Sequence, residues 1–144
     1  LIEMAVLSAF LLYLGNMVLP WLIPTLGMIV VLTLFSIGAG LIVSVLNVYF
    51  RDMQYLIGIV LQMWFYLTPI IYPPSLVEGR GETVEFIYGL NPMTAFVDCF
   101  RALLYDLRWP DLGEFLYATG WALALFVIGI FVFRRFDGRL AEEL

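Results

Sequence analysis

Long uncharged stretches separated by short polar groups are the main pattern of this chain. No charge occurs over residues 4–46. A helix rises about 1.5 Å per residue and the hydrocarbon core of a bilayer is about 30 Å thick, so this stretch is long enough for two crossings. Pro20 and Pro24 favour a tight turn within it. We therefore predict two membrane spans, at residues 3–19 and 25–46.

Two more apolar stretches follow. The third predicted span covers residues 53–72 and begins after Arg51 and Asp52. The last covers residues 115–133 and is followed by a charged tail at 134–144. The pattern predicts an all-α, polytopic membrane protein with four transmembrane helices in a single transmembrane domain. Because the chain starts with neither Met nor a signal peptide, we expect it to be a fragment.

A short amphipathic helix is predicted in the polar segment between the last two spans. Asn91 is suited to cap this helix, with Pro92 at its first position. Apolar residues recur at helical spacing over residues 92–105, which is too short for a bilayer crossing, so the helix is expected to be re-entrant or interfacial. Asp98 and Arg101 are spaced to form an ion pair. The polar face of the helix carries Thr94, Asp98, Arg101 and Tyr105.

The arginines indicate an orientation. Four of them lie close to predicted span ends, and three are spread through the acidic segment at residues 73–114: Arg51, Arg134, Arg135 and Arg139 in the first group, Arg80, Arg101 and Arg108 in the second. Basic residues accumulate on the cytoplasmic flanks of membrane spans. We therefore expect the loop at Arg51 and the C-terminus to be cytoplasmic, and segment 73–114 to be external.

Composition excludes several classes of function. Hydrophobic residues make up 63% of the chain and charged residues 13%, which indicates an integral membrane protein. The net charge of -5 argues against nucleic acid as a partner, and the single Cys99 excludes a disulfide scaffold. The chain contains no Lys and no His, hence no Walker A lysine, no His-based triad and no His-containing zinc site. We expect no catalytic, metal or cofactor site in this chain.

Two helical faces carry polar or small side chains. In the second span they recur at steps of three or four and favour close helix packing over a translocation path: Thr33, Ser36, Gly40, Ser44 and Asn47. In the third span the face runs through Tyr55, Gly58, Gln62, Tyr66 and Pro69, and should point inward because a Gln within a membrane needs a hydrogen-bond partner. Either packing or contact with a substrate explains it.

Four segments, taken in order, resemble a known family. NVYFRDM follows the second span, LTPIIYPP ends the third, LNPMTAFVDCFRALLYD lies in the external segment, and RRFDGRLAEEL follows the last span. Their order and spacing are similar to the C-terminal two thirds of the membrane subunit, or permease, of ABC exporters for O-antigen, capsule or teichoic acid. The resemblance implies that the four spans are the third to sixth of six, with re-entrant helices near the channel exit.

The resemblance also implies partners and roles. Two permeases would work with two ABC ATPase subunits, which carry ATP and Mg, in the cytoplasmic (inner) membrane of a bacterium or archaeon. A lipid-linked polysaccharide would be the substrate, beside the membrane lipids. Sugar chains need aromatic faces and scattered hydrogen-bonding groups, which makes Tyr55, Gln62, Tyr66 and Tyr105 the candidates for lining the path. Arg51 and Asp52 are candidates for the cytoplasmic gate or for a simple membrane anchor.

Other functions remain open at this level. The external re-entrant helix is assigned four residues, of which the charged pair could orient the helix or contact substrate: Asn91, Pro92, Asp98 and Arg101.

A related ABC exporter for drugs or small lipids would share the topology. A membrane-embedded glycolipid enzyme is disfavoured because the chain has no Asp-x-Asp motif and no His.

Overall fold

The structure is a computed structural model, and the regular secondary structure that it describes is all helical. It describes residues 19–50, 52–70 and 88–140, with isolated positions 6, 13 and 86. The helices are α1 (Leu22–Tyr49), α2 (Met53–Leu67), α3 (Pro92–Leu104) and α4 (Leu112–Leu140), and a 3-10 turn (Leu19–Trp21) precedes α1. The all-helical fold class is thus confirmed.

Two helices are long and apolar enough to cross a membrane. They cover Leu19–Tyr49 and Leu112–Phe136, and only 17% of the most apolar window of each is buried within the chain. A core helix of a soluble protein would be largely buried, so these exposed apolar surfaces suit contact with lipid or with other helices. Pro24 falls in the first turn of α1, where a missing N–H breaks no hydrogen bond, and the helix therefore starts earlier than predicted.

The prediction of four transmembrane helices is not confirmed. α2 has 15 residues and is about 22 Å long, which is shorter than the bilayer core. It ends at Leu67 rather than continuing to residue 72, because Pro69 forces the preceding Thr68 into an extended conformation. The predicted span at 3–19 lies outside the described residues apart from isolated positions, as do Arg80 and the other charges of the predicted loop before residue 86.

α1 and α4 lie side by side and run in the same direction. Trp21 and Trp109 meet edge to face at the N-terminal ends, with ring centroids 5.7 Å apart. Tyr49 and Phe136 meet at the other end, 5.5 Å apart. The loop after α1 and the end of α4 therefore lie on the same side of the molecule. α4 continues as a helix to Leu140, past the predicted span end at residue 133, while residues 141–144 lie outside the described part.

Close contact between α1 and α4 depends on two glycines. A Cβ atom on Gly38 would lie 2.5 Å from the backbone of Leu125, and one on Gly129 would lie 2.5 Å from the carbonyl oxygen of Gly38. The predicted small and polar stripe of α1 is on another face: Thr33, Ser36, Gly40, Ser44 and Asn47 are all exposed. This stripe therefore does not form the contact between α1 and α4, and its role in helix packing stays a prediction.

α3 packs against the N-terminal halves of α1 and α4. The core comprises Met28 and Phe35 of α1, Phe96 and Leu103 of α3, and small residues that allow close approach: Ala95, Cys99, Ala118 and Ala122. The buried face of α3 is rotated relative to the predicted one. Thr94, which the pattern places on the polar face, is buried.

Candidate functional site

Thr68-Pro69 at the end of α2 and Asn91-Pro92 at the start of α3 meet at one junction. Thr68 precedes Pro69 and has φ -92° and ψ 135°, as expected for a residue before proline. Its hydroxyl donates to the carbonyl oxygen of Trp64 at 2.9 Å, and the same carbonyl accepts from the backbone N–H of Thr68 at 3.0 Å. Thr68 and Pro69 are both buried.

Asn91 is the centre of this junction. Its Oδ1 accepts from the backbone N–H of Met93 at 3.0 Å, which is the helix cap that the sequence predicts. The same oxygen accepts from Nε1 of Trp64 at 2.8 Å, and Nδ2 donates to Oγ1 of Thr68 at 3.0 Å. Asn91 is only 7% exposed. The end of α2 is thus hydrogen-bonded to the start of α3 through one amide.

Arg101 forms a second link between the two helices. Its Nη1 lies 3.0 Å from Oδ1 of Asp98, so the predicted i, i+3 pair is present. Its Nη2 donates to the carbonyl oxygen of Pro69 at 3.2 Å. Burial raises the pKa of the Asp98 carboxyl, and the positive charge of Arg101 opposes that change. The pair is half-buried, and it orients α3 relative to the proline turn.

A polar pocket opens on the other side of α3, between it and the start of α4. We call it the acidic pocket; its volume is about 420 Å³. Asp98 lines it from α3, and Glu114 and Tyr117 line it from α4. The Tyr117 hydroxyl donates to the carbonyl oxygen of Leu90 at 3.0 Å. Asn91 and Thr94 also line this pocket, which connects it to the junction.

The predicted path residues are not gathered at the junction. Tyr55, Gln62 and Tyr66 lie on the exposed side of α2, whereas Met53, Ile57 and Trp64 form its partly buried side. Within the described chain, the face predicted to point inward is therefore not the packed face. Its role as a path wall stays a prediction.

Two further predicted residues also lie apart from the junction. Tyr105 is exposed just after the end of α3, and Asp52 is exposed at the start of α2. Arg51 lies outside the described residues, so the structure gives no position for the predicted gate pair.

An apolar groove of about 460 Å³ separates α1 from α2. Two members of the small stripe of α1, Ser36 and Gly40, line it together with Ile57 and Trp64 of α2. The two helices make few direct contacts, and α2 is held mainly through its C-terminal end. The groove leaves the small stripe accessible for a further helix.

Sequence reasoning did not identify Trp64, Glu114 or Tyr117 as members of a site. The sequence alone does not distinguish a packed Trp in an apolar helix from a lipid-facing one. Glu114 shares its pocket with residues of α3 that are distant in the sequence, such as Thr94 and Asp98. Among the described residues, no group of three His, Cys, Asp or Glu is arranged to hold a metal ion. The junction can position helices and offer hydrogen bonds, and it shows no arrangement of a nucleophile and a base.

Comparison with known proteins points to one family. The family model described as ABC-2 type transporter matches residues 1–105. An O-antigen export system permease protein RfbA from Myxococcus xanthus is 26% identical over 110 residues, covering 76% of this chain and 42% of the relative. A protein of that name from Klebsiella pneumoniae is 30% identical over 113 residues, covering 77% of this chain and 41% of the relative.

The chain therefore spans about two fifths of the length of these curated relatives. No solved structure matches it significantly. The matched region, residues 1–105, includes α1, α2, α3 and the junction between the last two. This chain belongs to the ABC-2 type transporter family.

Proposed function

We propose that the protein containing this chain is the transmembrane subunit of an ABC exporter that moves lipid-linked polysaccharide across the cytoplasmic membrane. The observation that carries the proposal is the family match over 105 of 144 residues, together with relatives named as O-antigen export permeases. Two long apolar helices with little buried surface are consistent with a membrane subunit. Because the names of these relatives describe O-antigen export, polysaccharide is favoured as the substrate over drugs or small lipids.

The proposed topology has four spans in this chain, with α2 crossing together with the residues that follow it. α1 and α4 descend from the external to the cytoplasmic side. The parallel packing of these helices supports this, because it places the end of α1 beside Phe136 and the adjacent Arg134 and Arg135. α3 would lie at the external side, where its 13 residues enter the membrane without crossing it.

The working assembly would contain a second copy of the permease and two ABC ATPase subunits that bind ATP and Mg. The sugar chain would pass along exposed faces, with Tyr55, Gln62, Tyr66 and Tyr105 as wall residues. Arg51 and Asp52 would form the cytoplasmic gate. Exposure of the α2 face supports this assignment, since a path wall must be accessible to substrate or to a second copy.

Deletion of the gene tests the proposal. We expect lipid-linked glycan to accumulate on the cytoplasmic side and surface polysaccharide to be lost. Inactivating the partner ATPase alone should give the same phenotype. Normal surface polysaccharide in the deletion strain would contradict the proposal, and copurification of small lipids or drugs without glycan would favour the related exporters.

A further inference from the structure

The acidic pocket contains a buried hydroxyl without a partner. Thr94 lines the pocket and is 6% exposed, and its Oγ1 makes no hydrogen bond within the described part of the chain. Thr25, Thr33 and Thr68 each donate to the carbonyl four residues earlier. At Thr94 that carbonyl belongs to Leu90, and it accepts instead from Tyr117. A buried polar group left in this state is costly and calls for a further partner.

The charge of the pocket restricts what this partner can be. Asp98 uses Oδ1 for Arg101, whereas Glu114 forms neither a hydrogen bond nor an ion pair with any described residue. The described lining contains no Arg, but Arg101 offsets the charge of Asp98 and Arg108 acts on Glu114 from nearby. Asp98 and Asp111 act on Glu114 with the opposite sign, and Arg108 is itself paired with Asp106, so negative charges outnumber positive ones around the pocket. Asp111 lies close enough to add to the negative potential around Cys99. An anion would be repelled here, and a ligand that donates hydrogen bonds would be attracted.

The shape and wall of the pocket suit one ring-sized ligand. A volume of about 420 Å³ is in the lower part of the range of about 300–1,000 Å³ for small-molecule sites. Tyr117 offers an aromatic face, and two carboxylates and a hydroxyl offer hydrogen-bonding groups around it. The described carboxylates do not form a metal-binding group of three. Hydroxyl groups on a ring with apolar C–H faces match this set of contacts.

We propose that the acidic pocket binds one uncharged sugar ring of the exported chain and discriminates against anionic sugars. Glu114 and Asp98 accept hydrogen bonds from ring hydroxyls, Thr94 supplies a hydroxyl, and Tyr117 packs against the ring. The inference rests on the proposed function and narrows it, since a chain of uncharged sugars suits this pocket and a polyphosphate chain such as teichoic acid does not.

Sugar binding by the permease in nanodiscs with its ATPase tests the inference. The probes are methyl glycosides of galactose, glucose and mannose, each paired with its uronic acid form, with contact measured by saturation-transfer NMR. We expect binding of at least one uncharged glycoside, and binding of its uronate about tenfold weaker. Glu114→Gln should largely abolish that discrimination, whereas Asp106→Asn, at an exposed carboxylate outside the pocket lining, should preserve it.

A second variant, Thr94→Val, tests whether the Thr94 hydroxyl contributes to sugar binding. Thr94→Val removes Oγ1 without changing the shape, so the melting temperature should stay at or above that of the parent while sugar binding weakens about fivefold. Three results would overturn the inference: no binding of any probe, equal binding of a glycoside and its uronate, or unchanged discrimination in Glu114→Gln. Surface polysaccharide in the gene deletion strain tests the proposed function separately, so the two can fail independently.

Discussion

Arg101 and Pro69 are in direct contact although they are 32 residues apart in the chain. The guanidinium donates from Nη2 to the Pro69 carbonyl at 3.2 Å and from Nη1 to Asp98 at 3.0 Å. A guanidinium can make both bonds at once because its donors are fixed in a planar fork. The proline turn after α2 is thereby fixed to α3.

Arg101→Lys should weaken this contact. The ammonium of Lys is a single point charge on a flexible stem, so it keeps the attraction to Asp98 and loses the geometry of the double contact. We expect a loss of about 1–2 kcal/mol in the free energy of unfolding, measured by thermal unfolding in detergent. Arg108→Lys is the matched control, because the Arg108–Asp106 pair is largely exposed and contributes about 0–1 kcal/mol. Equal effects of the two substitutions would contradict the assignment.

Asn91→Ala should be more destabilising than loss of a helix cap alone. The change removes the cap of α3, leaves Nε1 of Trp64 without its acceptor, and removes the amide that donates to the hydroxyl of Thr68. We expect a loss of about 2–4 kcal/mol. Asn91→Asp keeps the acceptor for Trp64 and Met93 and should lose less.

Asn47→Ala provides the matched control for the Asn91 substitutions. Asn47 is exposed on α1, so its replacement should change the melting temperature little. A similar decrease in melting temperature for Asn47→Ala and Asn91→Ala would show that the junction does not hold α2 in place.

The features that sequence reasoning predicted correctly are local ones. The Asn91 cap and the Asp98–Arg101 pair each depend on residues within three positions of one another. Such contacts follow from helix geometry alone. The early end of α2 at Pro69 is also a local effect, although the helix is shorter than the apolar stretch that predicted it.

The features that it missed are contacts between elements. In α1 nearly every side chain is apolar, so the sequence pattern hardly distinguishes the face that packs from the face that meets lipid. Gly38 packs because α4 places Gly129 opposite it, and the stripe with Gly40 remains exposed. Likewise, nothing in the sequence around Thr94 shows that Tyr117 occupies the carbonyl to which this threonine would otherwise donate.

Gly38→Ala should separate α1 from α4. The added Cβ would lie 2.5 Å from backbone atoms of Leu125 and Phe126, which cannot rotate away as a flexible side chain would. We expect a loss of at least about 2 kcal/mol in the free energy of unfolding. Gly40→Ala is the control: its Cβ would meet nothing within 4 Å, and alanine favours the helix by about 0.5–1 kcal/mol. A melting temperature for Gly38→Ala at or above that of Gly40→Ala would refute the close crossing.

Cys99 should resist alkylation over a wide pH range. The residue is fully buried, and burial, together with the charges of Glu114, Asp98 and Asp111, raises the pKa of its thiol from 9.0 to about 12. Because the thiolate is the reactive form, iodoacetamide should modify Cys99 only after unfolding, as measured by mass spectrometry between about pH 7 and pH 10. Tyr105→Cys in a Cys99→Ala background, at an exposed position, should react with ordinary pH dependence.

The raised pKa of the Cys99 thiol also predicts that the folded protein becomes less stable as the pH rises in the alkaline range. Between pH 9.0 and about 12 the unfolded chain loses the Cys99 proton that the folded chain retains, so the free energy of unfolding falls as the pH rises. Cys99→Ala should remove this contribution. Rapid alkylation of Cys99 in the folded protein near pH 8 would contradict both expectations.

Gln62→Leu tests whether the exposed face of α2 is a path wall. Gln62 lies on the same exposed side as Tyr55 and Tyr66, and its amide can both donate to and accept from a sugar hydroxyl. Leucine keeps the helix and its apolar character, so insertion should be unaffected while export, measured as surface polysaccharide, falls about fivefold. Gln54→Leu, also exposed on α2 but near its start, should leave export unchanged. If both variants export normally, the polar stripe serves helix packing, because a path wall that loses its hydrogen-bonding group cannot hold a hydrated chain equally well.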